Sequence, residues 1–501
     1  MSSKTSTLLY YLAAALLCST PVIAKDFDYF ETTRKTVRNG MQSMFICNGL
    51  FTSQRSLSQI FDQELAYLGD QRLGDANTGN YRIDPEIQSV EVGGGYDGPA
   101  VTSVFRSGIG CLAMAPEMTT ESFDQLPKIE LAIPNKGVEQ LPWPHGDLVN
   151  QDTHHDDVSR AALNAAADWA FKPRAEGEDT TSLLVVHRGD IVLEQYARGF
   201  DYRTRTRTWS AAKSIEAALI GLRVDSGHMT LDAPLPIDWL PLQTEADSDL
   251  RSQITLRHAL NMTTGLYPVD NDGMADSAGS GLAYWSGGGY ANPIRQRGLI
   301  RDPGSHWDYE NYDSLLAVHA LKKTFETDQA YRQFPYVALL RKIGMHTTLL
   351  GTDRFGDFIL SSQAFSNARD LARFGLLFLN RGNWFGDQII SEDWIDFIRE
   401  PTPASAFRGN DYGGHWWLVP DARKHEVPAE AFSAAGSRGQ YVTIVPSYDV
   451  VIVRRGLDYN GAAFDQWSLV REVLKAFPKP TDINEQSDPT DFSKMLHVSN
   501  P

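Results

Sequence analysis

The hydrophobic pattern of the first 150 residues changes from a helical to a strand-like period. Apolar residues recur at helical spacing near 31–44, and short alternating runs follow at 87–94 ("IQSVEVGG") and 101–108 ("VTSVFRSG"). Spacings of three and four residues indicate a helix, whereas alternation indicates strands with one buried face. We therefore expect a small α+β extension at this end of the chain.

A second, larger unit is predicted from residue 151 onward, with strands at both of its ends. A helix is predicted to begin at Asp156, and 237–400 is mainly helical in pattern. The strand-like runs lie at 182–189, 191–200, 412–420, 439–447 and 449–456. Strands at both ends with helices between them predict an α+β fold. We expect an antiparallel sheet flanked by helices, with its first and last strands adjacent and an all-helical lobe alongside.

The first 24 residues have the pattern of an export signal. Lys4 precedes an apolar core at 8–17, and "PVIA" ends at Ala24 with the small residues of a cleavage site. No later stretch approaches the roughly 20 apolar residues that a membrane span needs. We predict a signal peptide at 1–24, an extension at 25–150, a main domain at 151–478 and a polar tail at 479–501. The expected location is the periplasm or the extracellular space, with no membrane span.

The net charge narrows the class of partner. The 501-residue chain has a formal net charge of −17, which argues against nucleic acid as a partner and leaves a small molecule or peptide.

Removal of the signal peptide leaves two cysteines, Cys47 and Cys111. An exported chain favours a disulfide between them, with two buried free thiols as the alternative.

A lysine stands inside an apolar helical pattern. In "TWSAAKSIEAALIGL", Lys213 follows Ser210 by three residues, so both side chains are expected on one helix face. Burial penalises a charged amine, and a neutral amine can accept the serine proton. The serine lies in the first turn, where main-chain N–H groups can stabilise an oxyanion. The alternative is a lysine whose stem is packed while its amine reaches water.

Two further motifs follow this S-x-x-K arrangement. They are Tyr309-Glu-Asn311 in "DPGSHWDYENYDSLL" and Ala434-Ala435-Gly436 in "FSAAGSRGQYVTIVP". In this order, the motifs resemble those of the class C β-lactamase-like serine hydrolase superfamily, over about 155–478. The segment "TWSAAKS" around Ser210 is most similar to the nylon-oligomer hydrolase and esterase branches of this superfamily.

The resemblance implies a function and a set of site residues. It implies a serine hydrolase that cleaves an amide, peptide or ester bond through an acyl-enzyme and needs no cofactor. By resemblance, Ser210 is the nucleophile, Lys213 the general base, and Tyr309, with Asn311, the proton relay. The main-chain N–H groups of Ser210 and Ser437 would form the oxyanion hole, and Gly436 would contact the substrate.

The third motif departs from the lactamase pattern. Ala434 and Ala435 replace the lysine and threonine that bind the β-lactam carboxylate in the lactamases of this superfamily. An amide or ester substrate is therefore favoured over a β-lactam. Arg438 either supplies the missing cation as a substrate-binding residue or is a surface arginine at a strand turn. The rival functions are a β-lactamase or D-Ala-D-Ala peptidase, and a non-catalytic binding protein that retains the fold.

A second Tyr-x-Asn and a group of histidines and aspartates are also present in the sequence. A second Tyr-x-Asn occurs at Tyr290, but Tyr309 follows a Pro-Gly pair and opens a helix, as the motif requires. Three histidines lie near three aspartates, at positions 145, 154 and 155 and at 152, 156 and 157. The histidines lack the i, i+4 spacing of helical metal ligands, and the acids resemble helix-capping residues. We predict no metal site.

Overall fold

The structure, a computed structural model, describes residues 28–479 except 131–136, 138–139, 151–154, 238 and 241–248. The predicted signal peptide, and the predicted tail beyond its first residue, lie outside the described residues. The domain boundaries stay predictions.

Helices are distributed through the whole described chain. The α-helices are α1 (Glu31–Cys47), α2 (Leu57–Gln59), α3 (Arg160–Phe171), α4 (Ala212–Asp225), α5 (Leu256–Leu260), α6 (Gly281–Trp285), α7 (Ala291–Gln296), α8 (Asn311–Lys322), α9 (Asp328–Pro335), α10 (Ala368–Leu379), α11 (Glu392–Arg399) and α12 (Gln466–Leu474).

The strands form four sheets among the described residues. A four-stranded sheet holds β1 (Tyr81–Asp84), β2 (Ser89–Val92), β3 (Val101–Arg106) and β4 (Gly110–Ala113). A seven-stranded sheet holds β5 (Thr180–His187), β6 (Asp190–Tyr196), β12 (Tyr412–Gly413), β13 (Trp416–Leu418), β14 (Phe432–Gly436), β15 (Gln440–Val445) and β16 (Val450–Gly456). Two small sheets hold β7 (Thr206–Arg207), β8 (Leu349–Leu350) and β9 (Ala364–Ser366), and β10 (Asn383–Trp384) with β11 (Asp387–Gln388).

The seven-stranded sheet confirms the predicted α+β architecture. Its order is β12-β13-β14-β15-β16-β5-β6, so β16 near the end of the unit pairs antiparallel with β5 at its beginning. Successive residues of β5 belong to different cores, with Leu183 in one hydrophobic cluster and Leu184 in the other. Because side chains alternate across a strand, both faces of this sheet are buried. Helices α3 and α12 contribute to the first cluster, and α4 and α10 to the second.

The N-terminal segment that contains α1 packs against the larger unit. Val37 and Met41 of α1 belong to the same hydrophobic cluster as Ile215 and Leu219 of α4. Gly40 allows the close crossing, since a Cβ at this position would lie 1.7 Å from the carbonyl oxygen of Trp285. The extension therefore shares a core with the larger unit.

The predicted start of α3 is corrected by the structure. The helix begins at Arg160, and Ser159 is its N-cap, with its side chain accepting from the N–H of Ala162. A serine oxygen satisfies this otherwise unpaired N–H at the helix start. Asp156 and Asp157 therefore precede the helix and do not cap it.

Cys47 and Cys111 form the predicted disulfide. Both residues are buried, and the bond joins the end of α1 to β4 across 64 residues of sequence. Within the part of the chain that the structure describes, no helix combines the length and apolar character needed to cross a bilayer.

Removing this disulfide should lower the stability of the fold. Closing a loop of 64 residues stabilises a fold by about 4 kcal/mol in the chain-entropy model, and measured values are commonly about 2–4 kcal/mol. We expect the denaturant midpoint of Cys47→Ala/Cys111→Ala to fall accordingly, and each single variant to lose nearly as much. Non-reduced peptide mass spectrometry of the native chain should show the linked pair; two free thiols would contradict this prediction.

Candidate active site

Ser210 lies in a tight turn that immediately precedes α4. Trp209–Ala211 form one 3-10 turn, and the N–H of Thr208 donates to the carbonyl of Ala364 on β9. Trp209 has a φ of 51°, in the left-handed region that a bulky residue rarely adopts. Such strain is typical of functional positions, where the surrounding structure holds the backbone.

Lys213 is 1% exposed and makes three polar contacts. Its Nζ lies 2.7 Å from Oδ1 of Asn311, 2.8 Å from the carbonyl oxygen of Ser361 and 3.4 Å from Oγ of Ser210. The first two atoms only accept hydrogen bonds, so they take two N–H groups of the amine. A neutral amine then directs its lone pair at the serine hydroxyl, the arrangement that a base requires.

Asn311 is held in one orientation from its other side. Its Nδ2 donates to Oδ2 of Asp270 at 2.6 Å and to Oγ of Ser280 at 3.3 Å. Asp270 also accepts from the N–H and hydroxyl of Ser280, at 2.8 and 2.5 Å. Because a carboxylate accepts and does not donate, Asp270 turns the amide so that Oδ1 faces Lys213.

A buried carboxyl group lies one turn after the lysine on α4. Glu216 is fully buried, and neither of its oxygens has a hydrogen-bond partner among the described residues. Burial raises the pKa of Glu216 well above its usual range, and the nearby Lys213 lowers it by a smaller amount. A carboxyl group that is buried without hydrogen-bond partners is disfavoured as a carboxylate.

Tyr309 lies over the amine of Lys213 within an aromatic cluster. The ring centroid is 4.8 Å from Nζ, and the ring packs against Trp307, Tyr412 and Trp417. The alternative tyrosine, Tyr290, is fully buried and packs edge-on against a histidine of α8. The structure thus brings Tyr309 together with the lysine.

The end of β14 lies against the backbone of the serine turn. A Cβ on Gly436 would lie 2.3 Å from the carbonyl oxygen of Thr208 and 3.0 Å from the nitrogen of Ser210. Only glycine permits this approach, and the exposed Ser437 follows in the turn to β15. Arg438, the next residue, has a φ of 60°. The strand end and the turn that holds Ser210 therefore lie in direct contact.

The partners of Arg438 differ from those that a substrate-binding cation would have. Its guanidinium is buried and donates to the carbonyl oxygens of Gln63 and Glu64 in the extension, and to those of Leu457 and Asp458. Four of its five N–H groups are thereby used. Neither alternative from the sequence describes this residue, which ties the extension to the sheet, and we leave it out of the proposed site.

The sequence reasoning missed three residues that build the site. Asp270 and Ser280 orient Asn311, and Ser361 contributes a main-chain carbonyl. A main-chain acceptor has no residue-type signature. Asp270 and Ser280 lie in loops between the motifs, where an aspartate or serine is also typical of a turn.

The chain matches known proteins over the region that contains this site. The family model described as Beta-lactamase matches residues 168–455. A curated relative, the 6-aminohexanoate-dimer hydrolase of Paenarthrobacter ureafaciens, is 23% identical over 358 residues, which are 68% of this chain and 88% of the relative.

Two solved structures share the fold. One, from Bacillus anthracis and with a provisional assignment as a 6-aminohexanoate-dimer hydrolase, has a TM-score of 0.50 and 19% identity, over 76% of this chain and 92% of that one. The other, EstCE1, a hydrolase with promiscuous acyltransferase activity, has a TM-score of 0.52 and 13% identity, over 63% and 97%.

The family match covers more than half of the chain, and it includes the serine turn, the lysine and the strand end described above. The chain therefore belongs to the Beta-lactamase family and is a hydrolase of that family.

Proposed function

We propose that this protein is an exported serine hydrolase that cleaves an amide or ester bond through an acyl-enzyme on Ser210. The observation that carries the proposal is the set of contacts around Lys213. Two acceptors, Asn311 and the Ser361 carbonyl, take two of its N–H groups, and the third direction points at the serine hydroxyl. An amine placed in this way can remove the serine proton as the oxygen attacks a carbonyl carbon.

The remaining steps use groups at the same place in the fold. As Ser210 Oγ bonds to the carbonyl carbon, the carbonyl oxygen becomes an oxyanion, which the N–H groups of Ser210 and Ser437 stabilise. The proton on Lys213 passes through the hydroxyl of Tyr309 to the leaving nitrogen or oxygen. Water, activated by Lys213 and Tyr309, then attacks the carbonyl carbon of the acyl-enzyme, which releases the acid and restores the Ser210 hydroxyl.

Ring surface beside the lysine suits the alkyl part of an amide or ester substrate. Tyr309 and Trp417 are partly exposed and offer ring surface beside the lysine, and the buried Trp307 and Tyr412 pack against them. Arg408 lies over the rings of Trp307 and Trp417 but is paired with Asp411 at 2.9 Å. This arginine is therefore already neutralised. The curated relative's name, which gives a 6-aminohexanoate dimer as substrate, supports the amide alternative.

The proposed export rests on two features. The disulfide is typical of an oxidising compartment. The predicted signal peptide at 1–24 supplies the route.

A side-by-side rate measurement tests the substrate class. We expect efficient hydrolysis of p-nitrophenyl butyrate and much slower turnover of nitrocefin, because Ala434 and Ala435 supply no donor for the β-lactam carboxylate. One lost charge-assisted hydrogen bond is worth roughly 1.5–3 kcal/mol, or about 10- to 150-fold in kcat/KM. A fluorophosphonate probe should label the protein at Ser210. A kcat/KM for nitrocefin well above that for the ester would contradict the argument from the two alanines.

A further inference from the structure

Two histidines that are distant in sequence meet at one corner of the seven-stranded sheet. His155 precedes α3, and His187 is the last residue of β5. Together with Asp157 they offer three ligand atoms that all lie within 4.8 Å of one another. His187 pairs with Val450 on β16, at the opposite end of the sheet from Gly436. The cluster is therefore separate from the serine and lysine.

The donor atom of His187 is buried and lacks a hydrogen-bond partner in the described part of the chain. Its Nδ1 lies 3.1 Å from the carbonyl oxygen of Tyr448, which can only accept, so Nδ1 carries the proton. Nε2 then presents a lone pair, and it has no hydrogen-bond partner among the described residues. The side chain is 3% exposed.

His155 is oriented by a carboxylate. Its Nε2 lies 3.2 Å from Oδ2 of Asp190, so a proton on Nε2 leaves the lone pair on Nδ1. Metal-binding histidines commonly donate their other ring N–H to a carbonyl or a carboxylate. His187 has such a carbonyl and His155 such a carboxylate. The two rings also contact each other, with centroids 5.3 Å apart.

The local charge favours a cation. Asp157, Asp190 and Asp449 surround the two rings, and Arg188 is the cation that faces them. Arg188 pairs with Asp157 at 2.8 Å, but their side chains are 48% and 39% exposed. A surface ion pair of this kind contributes little stability, so a divalent ion can displace it.

The sequence predicts no metal site here, because His187 lies 30 residues beyond Asp157 and only the fold brings it close. From the folded geometry we propose that His155, Asp157 and His187 bind a divalent transition-metal ion of the zinc type at this corner of the sheet. Two imidazoles and one carboxylate suit Zn²⁺, with water completing the coordination. Tetrahedral metal–ligand bonds of about 2.1 Å place ligand atoms about 3.4 Å apart, so side-chain rotation must bring atoms that now lie within 4.8 Å of one another closer together. The ion would tie the segment before α3 to the β5–β6 turn and stabilise the fold far from Ser210.

Isothermal titration of ZnCl₂ into the untagged, chelator-treated full-length protein tests the proposal. We expect saturable binding at one ion per chain and a rise of a few degrees in Tm at saturation. His155→Ala and Asp157→Asn change partly exposed residues and should weaken the binding at least about tenfold. Co²⁺ in place of Zn²⁺ should give the visible absorption of a nitrogen-ligated site, which His155→Ala should remove.

An exposed histidine elsewhere serves as the matched control. His425 is 75% exposed and lies outside the cluster, so His425→Ala should bind zinc as the parent protein does. His187→Ala should also lose binding, but its burial makes it a poorer test of folding than the other variants. The proposal is overturned if folded His155→Ala and Asp157→Asn bind zinc as tightly as the parent protein, or if the parent shows no saturable binding.

Discussion

Replacing Ser210 by alanine should lower kcat/KM for p-nitrophenyl butyrate by at least about 10,000-fold, the scale of loss seen when a serine nucleophile is removed. The alanine removes the oxygen that we propose forms the acyl bond, while the turn at Trp209–Ala211 and helix α4 keep their main-chain hydrogen bonds. Labelling by a fluorophosphonate probe should disappear as well. The measurement is the initial rate over a range of ester concentrations.

A second serine provides the control for this variant. Ser437 is exposed, and only its main-chain N–H is assigned to the oxyanion hole. Ser437→Ala keeps that N–H and should retain activity within about tenfold, well inside the cost of losing an oxyanion donor. If Ser210→Ala kept the ester rate of the parent protein, the nucleophile assignment would be wrong.

Lys213→Arg should be nearly as damaging, with a loss of at least about 1,000-fold in kcat. A guanidinium stays protonated at any pH that the protein tolerates and cannot accept the serine proton. It is also larger than the amine that the site encloses, where Lys213 is 1% exposed. Lys213→Ala should lose a similar factor and recover part of its rate when methylamine is added, increasingly as pH raises the free-base fraction.

The same substitution at another partly buried lysine provides the control for Lys213→Arg. Lys322 on α8 contacts Asp357, a contact in which arginine can replace lysine. Lys322→Arg should therefore keep the activity of the parent protein. Near-parental rates for a folded Lys213→Arg variant would refute the general-base assignment.

Part of the site could be predicted because it depends on local geometry. Ser210 and Lys213 are three residues apart, and any helix that continues through them places both side chains on one face. Their contact at 3.4 Å follows from that spacing together with the apolar positions that bury the helix. Tyr309 and Asn311 required the resemblance as well, because 98 residues separate Asn311 from Lys213.

Elements with a clear run or period of apolar residues lie where the sequence predicts them. The strands around Leu184 and Val453, and the helix that begins at Glu31, match their predicted positions closely. The start of α3 did not, because several polar residues could serve as its cap and the sequence did not decide among them. Ser159 provides the cap because its oxygen reaches the N–H of Ala162.

The sequence alone therefore determined the elements with a regular period, the serine–lysine pair on one helix face, and the class of chemistry. Only the tertiary structure decided which distant groups complete each site. It directs the Ser361 carbonyl to Lys213, binds Arg438 to carbonyls of the extension, and brings His187 to His155. The physical reason is that periodicity and capping depend on neighbours a few residues apart. Contacts between distant segments depend instead on how whole helices and strands pack, and no short stretch of sequence records that packing.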